Sequence, residues 1–209
     1  MKKQIQTLQN IVSRKGSSKI LTFSIPHIYK ALQILSSEKF VSRATFGKEI
    51  HIGEGAVKTL ILHLKEAGMV DTTKSGTLLT EKGQKFIKQF SNVLPKECTL
   101  KKSSVIPGRF NHAILLKKYS DFIKTGLEQR DYAILYGSAG CMTILYKNNQ
   151  FVFPRDGRDC FENEPNTKRI LLEETSPEEG DVIIISSSDD PFVAEISAKN
   201  SALWTLATS

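Results

Sequence analysis

The chain has few cysteines and no long apolar run, and both deficits limit the classes of protein to which it can belong. Its three cysteines, Cys98, Cys141 and Cys160, are widely spaced and odd in number, which fits neither a zinc site nor a disulfide framework. No apolar stretch approaches the roughly 20 residues of a membrane-spanning helix, and none follows the basic N-terminus as it would in a signal peptide. We therefore expect a cytoplasmic protein with reduced thiols, no metal or cofactor, and no membrane partner.

Motifs that mark catalytic sites are also missing. The sequence has no nucleophile-elbow pattern and no closely spaced histidine pair. The Gly-Ser-Ala-Gly run at 137–140 lacks the spacing of a phosphate-binding glycine motif, and it follows a predicted helix rather than a strand. We expect that the protein is not an enzyme.

Positive charge is concentrated in the first half of the chain. Residues 1–95 hold 15 Lys or Arg against 6 Asp or Glu, a net charge of +9, whereas residues 96–209 hold 14 against 16, a net charge of −2. A polyanion such as nucleic acid is therefore expected to bind the first half. The alternative is a Lys-rich surface with no specific partner.

Residues 1–22 form the first segment of this half. They show weak helical periodicity and a basic end between Arg14 and Lys19. We predict a flexible or helical N-terminal arm that contacts phosphate or a dimer partner, or that is simply solvated.

Residues 23–95 have the pattern of a winged helix-turn-helix domain. The segments follow in this order: a helix with an apolar stripe from Ile28 to Leu35, a short helix capped by Ser42, a turn at 51–53, a longer helix at 54–67, two short strands around the turn at 74–76, and a helix capped by Thr80. In such a domain the second helix of the helix-turn-helix enters the major groove of DNA. The helix at 54–67 is therefore the predicted recognition helix.

This recognition helix is expected to be basic and to expose its polar side. Val57, Ile61 and Leu64 form the buried side. The residues that we expect to contact DNA lie opposite them, in the preceding turn and helix, and at the tip of the wing: Arg43, Lys48, Gly53, Glu54, Gly55, Lys58, Thr59, His63 and Lys74. The glycines would let the backbone approach the duplex, and Glu54 either accepts a hydrogen bond from cytosine or complements the helix dipole.

Residues 96–209 carry a different pattern. The predicted strands lie at 99–106, 113–118, 141–146, 150–153 and 181–186, and the predicted helices at 121–136 and 191–206. Residues 155–180 are predicted to form a polar loop with one short element at 170–172. Strands that pair mostly with near neighbours, together with two helices, predict a two-layer α+β domain. The fold class is thus α+β in two domains, with a boundary near Pro95.

A second candidate site, for a small ligand or a partner, consists of Arg130, Asp131, Gly137 and Gly140. The charged pair is predicted to lie within a helix, just before the glycine-rich turn. The structural alternative is that the glycines turn the chain from the helix into a buried strand, while the charged pair holds the turn. The charged loop at 155–159 also has a functional and a structural interpretation: it is a metal or anion site, or it is a solvated turn.

A resemblance to one protein family covers the chain from about Ser24 onward. It rests on GEGAVKTL at 53–60 with EAGMV and LTEKG downstream, and on LEQRDYAILYGSAGCMTILYKNNQFVFP at 127–154, which is similar to that group's helix, glycine turn and hairpin. The group consists of archaeal winged-helix proteins of uncharacterised function. Their second domain is similar to the GAD domain, a small α+β insert of bacterial-type aspartyl-tRNA synthetases and related amidotransferase subunits. The resemblance implies a transcription regulator and supplies no catalytic residues.

The sequence therefore predicts a transcription regulator that binds double-stranded DNA. A homodimer is expected, because two half-sites strengthen a weak single contact. The C-terminal GAD-like domain would assemble the dimer, sense a small-molecule effector, or both. The alternative is an RNA-associated or protein-interaction module without sequence-specific DNA binding.

Overall fold

The chain folds into two compact units of mixed helix and sheet. The structure, a computed structural model, describes residues 1–13, 21–102 and 106–208. The units comprise Met1–Gln89 and Phe90–Ser209. Within the described residues there are eight α-helices and two β-sheets, so the predicted α+β class is confirmed. The division falls inside a helix, between Gln89 and Phe90.

Unit 1 consists of helices that precede and follow a short hairpin. Its elements are α1 (Lys2–Ile11), α2 (Ile25–Ser37), α3 (Arg43–Ile50), α4 (Glu54–Glu66), β1 (Val70–Thr73), β2 (Gly76–Leu79) and α5 (Glu81–Ser91), the last of which continues into unit 2. Ser24 and His27 form a capping box at the start of α2, and Ser42 Oγ accepts a hydrogen bond from Thr45 N at 3.0 Å at the start of α3. These caps explain why the helices begin where the sequence predicts.

The described part of the segment predicted as a flexible or helical arm is helical, and this helix, α1, packs into the core of unit 1. Ile5, Leu8 and Ile11 are buried along one side of the helix, and α1 packs against α2. Burial of these three side chains fixes the helix against its neighbours. The basic end of the predicted arm, at 14–20, lies outside the described residues.

The hairpin of unit 1 is joined by a third piece of extended chain. β1 and β2 pair in antiparallel register, from Val70 opposite Leu79 to Thr73 opposite Gly76. Val41 then pairs with Thr77, and the two residues exchange N–H···O bonds of 2.9 Å. Gly76 has a φ of +134°, and a Cβ there would lie 2.8 Å from Val41 O. The glycine therefore permits the close approach of Val41 to the hairpin.

Unit 2 is an antiparallel sheet with helices on it. Its elements are β3 (Glu97–Leu100), β4 (Phe110–Leu116), a 3₁₀ turn (Ser120–Phe122), α6 (Leu127–Ile134), β5 (Gly140–Lys147), β6 (Gln150–Val152), α7 (Pro165–Thr175), β7 (Val182–Ser188) and α8 (Pro191–Thr208). The strand order is β3-β4-β7-β5-β6, and every neighbouring pair is antiparallel. Helix α8 packs against α6, β4 and β7.

Three predicted elements of unit 2 differ from the structure. The helix predicted at 121–136 is a 3₁₀ turn followed by α6, because the chain at Gly126 adopts a φ of +82°. The short element predicted at 170–172, within the loop at 155–180, is part of the longer helix α7, whose buried side is only the narrow stripe Thr167, Leu171 and Thr175. The strand predicted at 99–106 spans Glu97–Leu100, and residues 103–105 lie outside the described part of the chain.

Candidate nucleic-acid interface

Helix α4 has a buried side and an exposed side. Val57, Leu60, Ile61 and Leu64 are buried, and α4 packs against α3 and β1. The exposed side carries Glu54, Gly55, Lys58, Leu62 and Lys65. The predicted orientation of Val57, Ile61 and Leu64 is therefore confirmed, and a helix presented in this way has room for a partner along its outer side.

The turn between α3 and α4 leaves space around the start of α4. His51 adopts a left-handed conformation with a φ of +56° at the end of α3, and Gly53 is the N-cap of α4. A Cβ on Gly53 or Gly55 would meet no atom within 4 Å. Packing within the chain would therefore permit a larger residue at either position. The expected close approach of DNA to this backbone stays a prediction.

The exposed charges of α4 balance, which corrects the expectation of a basic helix. Lys58 Nζ lies 2.8 Å from Glu54 Oε1, one turn earlier on the helix, and Lys65 Nζ lies 3.0 Å from Asp71 Oδ1 on β1. The hydrogen bond and the charge of Lys58, followed by the charge of Arg43, lower the pKa of Glu54. Since α4 itself carries two lysines, Lys58 and Lys65, and two glutamates, Glu54 and Glu66, it contributes no net positive field of its own.

The cations that are free to bind an anion lie beside α4. Lys48 is in the last turn of α3, and Lys74 is in the turn of the β1–β2 hairpin; both are exposed. Neither forms an ion pair with a described residue. Arg43 is exposed at the first position of α3 and acts on Glu54 through its charge. Lys48 and Lys74 thus belong to α3 and to the hairpin that begins with β1, and both α3 and β1 pack against α4.

His63 does not face outward, which corrects its predicted role in DNA contact. Its side chain is only 7% exposed, and its ring meets that of Phe23 edge-on with centroids 5.8 Å apart. His63 Nδ1 lies 2.6 Å from Ile11 O, and because a carbonyl oxygen only accepts, Nδ1 is the donor. The last residue of α1 therefore contacts α4 at His63.

Two polar groups of the predicted interface interact within α4 itself. Thr59 is partly buried, and its Oγ1 donates to Gly55 O at 3.1 Å. Lys58 is held by Glu54. Leu62, by contrast, is 53% exposed. The only signal in the sequence for this exposed leucine is its position opposite the buried stripe of the helix.

The second candidate site is divided by the structure. Arg130 and Asp131 form an exposed ion pair of 3.0 Å on α6. Gly137 has a φ of +84° in the turn after α6, and a Cβ on Gly140 would lie 2.6 Å from Pro107 Cγ. The two glycines are therefore explained by the path of the backbone, whereas Arg130 lines a cavity described below.

The described residues contain neither a membrane-spanning helix nor a cluster of metal-binding side chains. No helix in the ranges 1–13, 21–102 and 106–208 has the length and apolar character needed to cross a membrane. Over the same ranges, His, Cys, Asp and Glu nowhere form a group of three or more suited to a metal ion.

Comparison with known proteins relates the chain to an uncharacterised domain and to an archaeal structure. Residues 106–206 match a family described as a domain of unknown function, DUF4443, and no curated protein matches. Among solved structures, the chain is similar to the "Hypothetical protein PH0730 from Pyrococcus horikoshii OT3", with a TM-score of 0.72 and 24% identity over 90% of this chain and 95% of that one. The likeness shows that the chain shares its fold with an archaeal protein. This agrees with the predicted resemblance to archaeal proteins of uncharacterised function.

Proposed function

We propose that the protein is a DNA-binding transcription regulator whose unit 1 is a winged helix-turn-helix domain. The observation that carries the proposal is the exposed outer side of α4, with Lys48 on the helix before it and Lys74 in the hairpin after it, neither of which pairs with a described residue. Phosphate contacts fix the position of a protein on a duplex, and exposed base-facing side chains then read the sequence.

The order of elements supports a winged helix. Helices α2, α3 and α4 are followed directly by the β1–β2 hairpin, and Val41, between α2 and α3, pairs with β2. Lys74 occupies the tip of that hairpin, where the wing of such a domain meets the DNA backbone. In this arrangement α4 is the helix that enters the major groove.

The distribution of charge supports a polyanion as the partner. Unit 1 carries all of the excess positive charge: residues 1–89 have the same 15 cationic and 6 anionic side chains as residues 1–95. This long-range field attracts a duplex even though α4 itself is neutral.

The outer side of α4 offers one polar and one apolar contact to base edges. Lys58 reaches a phosphate or a guanine if it leaves Glu54. Leu62 is suited to the methyl group of thymine, since apolar side chains read that group in the major groove. The start of the helix, at Gly53, is free of side-chain obstruction and offers unpaired N–H groups to a phosphate.

The proposal includes unit 2 as a GAD-like domain. This domain serves to form a homodimer, to sense an effector, or both. A dimer would bring two copies of α4 to successive half-sites, and the second contact would then be intramolecular. The predicted absence of catalysis is part of the same proposal.

Leu62 also favours a second candidate, a protein-interaction or RNA-associated module. An exposed leucine on a neutral helix is as well suited to an apolar partner surface as to a groove. A protein partner would differ from both nucleic acids in its dependence on salt, because only a polyanion releases counterions on binding. Duplex DNA and RNA are separated by direct comparison of their affinities.

The test is the affinity of the full chain for duplex DNA and for a structured RNA of the same length, measured at several salt concentrations. We expect tighter binding to the duplex, with a slope of log K against log salt of about −3 from the cations beside α4. Preference for the RNA would favour the second candidate, and absence of duplex binding at about 50 mM salt would contradict the proposal.

A further inference from the structure

A cavity in unit 2 has an unusually cationic wall. It has a volume of about 320 Å³ and lies among the start of α6, the edge of β5 and the loop that follows β6. Arg130, Arg155 and Arg158 line it, against the single lining carboxylate of Asp156. Its apolar lining includes Leu127, Met142 and Phe153. This combination of size, apolar surface and a few charged groups is typical of small-molecule sites.

A buried hydroxyl without a partner also lines the cavity. Thr143 is only 5% exposed, and its Oγ1 makes no hydrogen bond with any described residue. Buried polar groups are nearly always hydrogen-bonded, so this one requires an explanation. Gly126 packs closely against this side chain, since a Cβ there would lie 3.0 Å from Thr143 Cβ and 3.2 Å from its Oγ1. An acceptor atom of a ligand at the cavity wall would satisfy the hydroxyl.

The edge of β5 adds main-chain groups to the same wall. Tyr146 N donates to Asp181 O, on the side of β7. Since alternate residues of an antiparallel strand pair with opposite neighbours, the main-chain groups of Cys141 and Thr143 face away from β7. On that side β6 pairs with β5 only over residues 145–147. The open edge at 141–143 therefore faces the cavity.

The three arginines differ in how firmly they are held. Arg158 Nε lies 2.7 Å from Asp156 Oδ2, and its guanidinium lies 5.9 Å from the ring centroid of Phe153. Arg130 pairs with Asp131, its neighbour on α6. Arg155 forms no hydrogen bond or ion pair with a described residue. Two guanidinium groups are thus oriented by partners, and a third is available to close on a ligand.

The cavity is built for binding rather than for reaction. Its cysteine is Cys141, and burial raises the pKa of that thiol to about 12. At neutral pH the thiol is protonated and is a poor nucleophile. The start of α6 at Leu127 adds the partial positive charge of a helix N-terminus, which favours an anion without reacting with it.

We propose that this cavity binds a small organic anion. Its phosphate or carboxylate would be held by Arg130, Arg155, Arg158 and the Thr143 hydroxyl, and its carbon part would lie against Phe153 and Met142. Guanidinium groups match the planar geometry of a carboxylate and the oxygens of a phosphate equally well. The inference concerns unit 2 alone and does not depend on DNA binding by unit 1.

The first experiment is a titration of the isotope-labelled full chain, followed by NMR. Phenyl phosphate and benzoate are the two probes, and inorganic phosphate and phenol are their controls. We expect the amide signals of Leu127 and Thr143 and the arginine Nε–H signals to shift with at least one probe, more strongly than with either control. Comparison of phenyl phosphate with benzoate shows whether the cavity prefers a phosphate or a carboxylate. No localised shift with either probe at about 10 mM would overturn the proposal.

Two substitutions then test the assigned contacts. Arg155→Gln is expected to weaken binding of the better probe about tenfold, and Thr143→Val to weaken it severalfold. Thr143→Val is also expected to raise the melting temperature of the free protein, because it removes an unsatisfied buried hydroxyl. Arg169→Gln, at an exposed arginine on α7 that pairs with Glu173, is the matched control. Probe affinity unchanged by Arg155→Gln and Thr143→Val would overturn the site.

Discussion

Lys58 Nζ and Glu54 Oε1 lie 2.8 Å apart on the exposed side of α4. The pair occupies the centre of the proposed recognition surface, and it keeps this surface neutral. A lysine held in this way must exchange its carboxylate partner for a phosphate or a base when DNA binds. Glu54 therefore opposes the interaction that α4 is proposed to make.

Replacing Glu54 with glutamine is expected to strengthen DNA binding. Removal of the carboxylate frees Lys58 and raises the local positive charge, so affinity for duplex DNA should increase about threefold at low salt, with a steeper salt slope. Binding titrations at several salt concentrations measure both quantities. Glu81→Gln, at an exposed residue in the first turn of α5, makes the same change of net charge elsewhere. A loss of affinity limited to duplexes with particular cytosines would instead indicate that Glu54 accepts a hydrogen bond from a base.

His63 is expected to stabilise unit 1 without contacting DNA. The change His63→Phe keeps an aromatic ring but leaves Ile11 O without its donor, which should lower the free energy of unfolding by about 1–2 kcal/mol. The DNA affinity of the folded variant should equal that of the wild type. Chemical denaturation and DNA titration together check this expectation. Lys58→Ala is the contrasting variant, since it should reduce DNA affinity with little effect on stability. Weaker DNA binding by a fully stable His63→Phe protein would restore the original assignment.

A partly buried ion pair in unit 2 is expected to make stability depend on acid pH. Lys199 is fully buried, with Nζ 2.7 Å from Glu97 Oε1. Burial alone would raise the pKa of Glu97, but the hydrogen bond from His112 and the charges of Lys199 and His112 outweigh it and lower the pKa from 4.5 to about 2. Because the folded-state pKa is the lower one, the stabilisation is complete above about pH 4.5 and is lost as the pH falls toward 2.

Denaturation of the wild type and of Glu97→Gln between pH 7 and pH 2 measures this contribution. The variant should be less stable at pH 7 by roughly 2 kcal/mol, since Lys199 loses its main counter-charge. It should also lose most of the pH dependence below about pH 4.5 that the wild type shows. An unchanged pH dependence in Glu97→Gln would assign the acid sensitivity to other carboxylates.

Local signals in the sequence were sufficient for much of unit 1. Ser42 caps α3, Val57, Ile61 and Leu64 mark the buried side of α4, and Thr80 N-caps α5 by accepting a hydrogen bond from Gly83 N at 3.1 Å. Each of these depends on residues within one or two turns, where propensity and periodicity are informative.

Features that depend on distant contacts were not predictable in the same way. The pairing of Val41 with Thr77 involves a single residue with no strand pattern. The burial of His63 requires α1, whose packing the weak periodicity of residues 1–22 did not reveal. The unsatisfied hydroxyl of Thr143 depends on the backbone at Gly126, many residues earlier in the chain. Tertiary contacts of this kind override local pattern.

The most direct test of the central claim is the salt dependence of duplex binding by a triple variant, Arg43→Ala, Lys48→Ala and Lys74→Ala. Its control is Lys101→Ala, Lys102→Ala and Lys124→Ala, which removes equal charge from exposed positions of unit 2. With both proteins folded, the first should bind at least about tenfold more weakly at low salt, with a slope reduced by about 0.9 for each lost phosphate contact. The control should keep the wild-type slope. Equal slopes in the two variants would show that the cations beside α4 do not hold DNA.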